Sequence, residues 1–269
     1  YLFPTILQLG PITISSLGVL TALGFFLGSF LVWQKGREEH FEENFLVDGI
    51  LLVVMIGLIV ARIWYVVFNW SNFANFISTF DLVKKPGFSW HGALLAGIFT
   101  LIVYCKKKKW DFYKLADLSV FGVVLGLILG KIGLFLNSPS FQPAFLFEAI
   151  LFIVVYRVLL VFDKNYRTYE WYKNRRGEAN FGFLFLSFLA LSTFIHLASA
   201  IFQNPSFEIF KSLEFIINIL IILTSLTLFY SRSGNHSLTI SPSWFTKRKN
   251  DKKENLRFKA GMEAREAKQ

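Results

Sequence analysis

Seven apolar runs, near residues 13–33, 46–69, 90–105, 117–136, 143–162, 180–202 and 210–230, are separated by short segments that hold most of the charge. Each run is long for a strand or a soluble core helix and reads as a span of the hydrocarbon layer. The third is the shortest, yet about 17 residues can still cross. The pattern therefore predicts an all-α polytopic membrane protein, a seven-transmembrane-helix bundle over residues 1–230. Residues 231–269 form a separate basic tail, expected to be disordered or a loose helix on the cytoplasmic membrane surface. It carries Lys247, Arg248, Lys249, Lys252 and Lys253.

Charge orients the bundle. Lys35 and Arg37 follow the first run, four lysines at 106–109 follow the third, and Lys164, Arg167, Lys173, Arg175 and Arg176 follow the fifth. The intervening loops hold only Lys84 and Lys85, then nothing at 138–142, then Lys211. The positive-inside rule puts the N-terminus outside and the C-terminus in the cytoplasm, which agrees with an odd number of spans.

Composition sharpens the class. Apolar residues make up 54% of the 269, with 32 phenylalanines and a mean hydropathy of +0.49, which excludes an ordinary soluble domain. A net charge of +10 would suggest nucleic acid in a soluble protein; here the basic residues lie in loops and tail and read as topology signals and anionic-lipid contacts, with no nucleic-acid partner. The single cysteine, Cys105, reads as an interfacial thiol and excludes an intramolecular disulfide or a multi-cysteine metal site. No cleavable signal stands out, because the first run is long and begins the bundle.

Polar residues inside the runs are the candidate chemistry. At 1.5 Å per residue, Arg62 lies roughly 10 Å below the outer boundary, Lys131 and Glu148 roughly 7–8 Å and His196 roughly 9 Å. His91 sits at the mouth of the third run. Each has a structural reading: Arg62 or Lys131 snorkelling to headgroups, Glu148 a paired carboxyl, His91 an interfacial ring, His196 a core ring bonded to a carbonyl. Five ionisable residues from five runs at one depth read better as a site. Two fixed cations, two imidazoles and one carboxylate favour an anion, and the anion at hand is a phospholipid phosphate, with Arg62 as a fork and Lys131 as a point charge. Either imidazole could move a proton near neutral pH. Glycines at 122, 126 and 130 put a bare strip on the fourth run, so the bundle is expected to close around it.

Four blocks resemble, in order, the motifs of the prolipoprotein diacylglyceryl transferase family: Arg62-Ile63-Trp64-Tyr65, Gly87-Phe88-Ser89-Trp90-His91-Gly92, Gly130-Lys131-Ile132-Gly133 with Asn137, and Pro143 through Glu148. The resemblance covers residues 10–230 and leaves out the tail. It implies an enzyme of lipoprotein biosynthesis in the bacterial cytoplasmic (inner) membrane. That enzyme moves a diacylglyceryl group from phosphatidylglycerol to the lipobox cysteine of a preprolipoprotein, releasing glycerol 1-phosphate, with no cofactor and no metal. By position, His91, Lys131 and His196 are the catalytic candidates; Arg62, Lys131, Tyr65, Asn137 and Glu148 are the candidates for holding the phospholipid.

The chain departs from the family pattern at several positions. Val60 and Ala61 replace a glycine pair, Lys131 replaces an arginine, Leu134 an asparagine and Leu17 a tyrosine. His196 and Ala200 stand where the family has arginine and glutamate, and Ala144, Phe145 and Phe147 where it has Ser, Gln and Tyr. The outer loop at 138–142 is short. These changes define the alternative, a non-catalytic membrane protein on the same bundle that binds anionic phospholipid.

Overall fold

The computed structural model describes residues 5–9, 12–70, 73, 79, 87–138, 142–166, 169, 172, 180–203 and 213–233. The basic tail lies outside the described residues. Among the described residues, seven helices run in chain order: α1 (Ser16–Glu38), α2 (Glu43–Phe68), α3 (Trp90–Lys108), α4 (Phe112–Asn137), α5 (Pro143–Asn165), α6 (Phe183–Gln203) and α7 (Leu213–Arg232). Six are long and apolar enough to cross a membrane; α3, with 19 residues, ends in three lysines. Large apolar side chains face outward, Phe26, Phe99 and Phe202 being 67–68% exposed. Such a surface is stable against lipid and not against water.

Ahead of α1 the chain forms a short antiparallel hairpin, β1 (Thr5–Leu9) with β2 (Ile12–Ser15). The first span accordingly starts at Ser16, three residues later than its apolar run. Local signals set the helix ends. The Ser15 hydroxyl accepts Gly18 N–H at 3.1 Å, and Asp111 Oδ1 accepts the N–H groups of Tyr113 and Lys114 at 2.8 and 3.1 Å. Each satisfies donors that the first turn leaves open. Pro143 opens α5, where its missing N–H costs nothing. Lys109, left-handed at φ 58°, stops α3.

As expected, α4 is the central helix, packing on α1, α3, α5 and α6. Its buried face (Val120, Phe121, Val124, Ile128) meets Phe152, Val155 and Leu159 of α5 and Leu186 and Leu189 of α6. The glycine strip does more specific work on the other side. Built on Gly28, a Cβ would lie 2.6 Å from the Gly122 carbonyl oxygen, so α1 and α4 touch backbone to backbone; at Gly130 a Cβ would meet nothing within 4 Å. Gly28→Ala is therefore expected to destabilise the bundle by about 1–3 kcal/mol, whereas Gly130→Ala is neutral or slightly stabilising. Thermal unfolding of both variants in micelles checks this, and equal losses would contradict the packing.

The loop charges tie helices together at the end opposite the polar layer. Lys35 pairs with Asp163 at 3.1 Å and Lys114 with Glu39 at 2.9 Å. Buried Asp117 accepts Gly182 N–H at 2.6 Å and Phe185 N–H at 2.8 Å, closing the start of α6. Cys105 is fully buried beside Leu46 and Leu115 and is a core thiol, not an interfacial one.

Candidate functional site

Glu148 is the hub of the polar layer. It sits five residues into α5 and is 3% exposed. One carboxylate oxygen, Oε1, accepts the Ser199 hydroxyl of α6. The other, Oε2, ion-pairs with Lys131 Nζ of α4 and lies 3.9 Å from His196 Nδ1 of α6. Three helices thus converge on one carboxylate. Ser199 follows His196 by three residues, which puts both on one face of α6. A buried lysine and a buried carboxylate each cost several kcal/mol to desolvate, and pairing within hydrogen-bond reach offsets much of that. The Lys131 and Glu148 charges sum to zero. Lys131 keeps a 15% exposed side chain, and its ammonium has three donors, so an anion can share it with Glu148.

Aromatic walls enclose the cluster. The Trp90 indole lies 4.8 Å from the His196 ring, and Phe152 lies 5.8 Å from it on another side. Trp90 also lines an apolar cavity of about 380 Å³ between α1, α2, α3, α4 and α6. That cavity descends past Gly28, Gly57 and Gly97 to Leu46, Tyr104 and Trp110 near the lysine-rich end of α3. Its apolar lining suits an acyl chain, and Trp90, which lines it, also meets the His196 ring of the polar cluster.

His91 is next to Trp90 at the start of α3. It is 7% exposed, and its Nε2 is 3.0 Å from Asn218 Oδ1 on α7. Its neighbour in sequence, Trp90, carries it next to the cluster, the indole lying against the His196 ring. A tight α2–α3 crossing places it there: a Cβ on Gly92 would come within 2.7 Å of Trp64 Cβ and 3.0 Å of Ala61 Cα. Ser89 N–H donates to the Ala61 carbonyl at 3.0 Å, adding a backbone tie at the same crossing.

Arg62 is turned to the loop between α2 and α3. Its Nε and Nη2 donate to the Thr79 carbonyl at 3.1 and 2.8 Å, and Nη1 donates to the Gly87 carbonyl at 2.9 Å. Tyr65 packs beneath the same loop, its ring occupying the space that a Cβ on Gly87 would need. Asn137 is the last residue of α4, six residues beyond Lys131, and is half-buried. Of the residues singled out in the sequence, Lys131, Glu148 and His196 are brought into one cluster with His91 beside it. Arg62 and Tyr65 hold the loop, and Asn137 marks the helix end.

Three further residues belong to the site. Ser199 and Asn218 are neutral polar residues in apolar runs and carry no charge to draw attention. Trp90 reads as one aromatic among many. The only signal for Asn218 is an amide amid Ile216, Ile217 and Ile219, since an unsolvated amide must find a partner.

Comparisons with known proteins agree on one family. The family model described as prolipoprotein diacylglyceryl transferase matches residues 4–231. A phosphatidylglycerol–prolipoprotein diacylglyceryl transferase of Clostridioides difficile is 32% identical over 170 residues, covering 57% of this chain and 68% of the relative. One from Staphylococcus saprophyticus is 28% identical over 196 residues, covering 62% and 70%. With one from Bacillus licheniformis the identity is 31%, and the match spans about half of either chain, 52%.

Proposed function

The chain belongs to the prolipoprotein diacylglyceryl transferase family, and from that premise we propose that it moves a diacylglyceryl group from phosphatidylglycerol to the lipobox cysteine of a preprolipoprotein. The observation that carries the reading is the buried polar cluster of Lys131, Glu148 and His196, with His91 beside it, joined through Trp90 to an apolar cavity of about 380 Å³. All seven helices cross the bacterial inner membrane in this proposal, with the N-terminus outside and the cluster toward the outer leaflet.

In the proposed mechanism the acyl chains lie in the cavity and the phosphate meets the Lys131 ammonium. His91 takes the proton from the lipobox thiol, since the thiolate is the nucleophile. Sulfur attacks the glyceryl carbon that bears the phosphate oxygen. A C–S bond forms, the C–O bond breaks, and its electron pair leaves with glycerol 1-phosphate. Lys131 stabilises the charge that grows on the departing phosphate, where fixed cations act most strongly. Glu148 holds Lys131 and His196 in place, and His196 is a second proton carrier. Arg62 and Tyr65 anchor Thr79 and Gly87 between α2 and α3, and Asn137 lies at the same outer rim.

Release of glycerol 1-phosphate from phosphatidylglycerol tests the reaction. It is expected with a lipobox peptide and absent when the peptide cysteine is serine. Release that ignores the thiol would make the protein a lipid hydrolase instead.

A further inference from the structure

A histidine that takes a proton needs one bare ring nitrogen. His91 Nε2 faces Asn218 Oδ1 at 3.0 Å. An amide oxygen only accepts, so the nitrogen facing it carries the hydrogen and Nδ1 keeps the lone pair. Both residues are buried, at 7% and 4% exposure, and inside a bilayer there is little water to compete for either group. The geometry points to Asn218 as a positioning residue: it holds His91 as the Nε2–H tautomer, with Nδ1 as the nitrogen that receives the thiol proton. This role for Asn218 rests on the proposed function, in which His91 is the base.

The surroundings leave this task to Asn218. On α6, the His196 ring lies 4.8 Å from that of Trp90, the residue before His91, and 3.9 Å from Glu148 Oε2, to which Lys131 of α4 is paired. Glu148 of α5 is engaged with Lys131, Ser199 and His196. From α2, Arg62 donates to the loop carbonyls of Thr79 and Gly87, while Ala61 and Trp64 pack on Gly92. Among the described residues, Asn218 is the hydrogen-bond partner of the His91 ring. This also gives α7 a role at the site. Apart from the exposed Glu214 of its first turn, its outer half is apolar, and it reaches the reaction through one amide.

The test uses the full chain in phosphatidylglycerol-containing micelles, labelled with ¹⁵N-histidine. The chain has four histidines, so His91 signals are assigned by their loss in His91→Asn. Wild-type protein is expected to show a protonated Nε2 and a bare Nδ1. In Asn218→Leu, which is of similar volume and suits an apolar helix, the two tautomers mix. There kcat falls roughly tenfold to a hundredfold, with KM for phosphatidylglycerol within about twofold. Asn218→Asp, which keeps an acceptor at the same place, retains the Nε2–H pattern and separates tautomer control from packing. An unchanged His91 pattern in Asn218→Leu, or a raised KM at constant kcat, overturns the inference. If wild-type protein transfers nothing, the proposed function falls, and the tautomer pattern alone decides whether Asn218 sets the ring.

Discussion

His91→Asn reduces transfer at least about a hundredfold while leaving phosphatidylglycerol bound. General acid–base groups contribute roughly 10²–10⁴-fold, and His91 is the buried imidazole whose ring is oriented by a partner on another helix. Asparagine keeps a polar side chain at the mouth of α3 and cannot take the thiol proton. The loss is therefore expected in kcat, with KM for the lipid little changed, because the phosphate contact is assigned to Lys131. Steady-state kinetics against phosphatidylglycerol, with lipid retention measured on the same preparations, checks it. Transfer within threefold of wild type would remove His91 from the chemistry and leave His196 as the base.

Removing one half of the buried ion pair is expected to have the second large effect. Lys131→Met leaves the Glu148 carboxylate, 3% exposed, with a neutral hydroxyl and an imidazole for company. Breaking such a pair from one side costs about 3–5 kcal/mol, which for a chain of this size corresponds to a fall of roughly 6–20 °C in unfolding temperature. Transfer is lost as well. The double replacement Lys131→Met with Glu148→Leu is expected to recover most of the stability and none of the activity, since two apolar side chains fill the space without an unpaired charge. Lys131→Arg keeps the charge and adds the bidentate fork that the family carries there, so transfer persists within about tenfold. Thermal unfolding and transfer assays on the three variants separate stability from function. A double variant as unstable as the single one would show that Lys131 packs the bundle without neutralising Glu148.

The helices and the cluster were legible in the sequence for different reasons. Apolar runs announce spans because backbone groups in lipid must be satisfied within the helix, and all seven runs return as helices within a few residues of their expected bounds. Depth counting from the span ends placed Lys131 and Glu148 at the same level, and they meet. The count worked because a charged residue in an apolar helix has few choices of neighbour. It could not say which residues face each other, so Arg62, at a similar depth, was grouped with them although its guanidinium serves the loop carbonyls of Thr79 and Gly87. Carbonyl acceptors belong to every residue alike and leave no trace in composition. Asn218 escaped for a related reason: no spacing rule links α3 to α7, and one amide among isoleucines changes hydropathy little. Gly92 and Ala61 show the reverse case. Their small size is plain in the sequence, but only the α2–α3 crossing explains it.

The most direct test of the central claim is the mass of a lipobox peptide after incubation with purified protein in phosphatidylglycerol micelles. The proposed reaction predicts a gain of one diacylglyceryl group on the cysteine with wild-type protein, and no gain with His91→Asn. An unchanged peptide with the wild-type protein, folded and with phosphatidylglycerol bound, would contradict it.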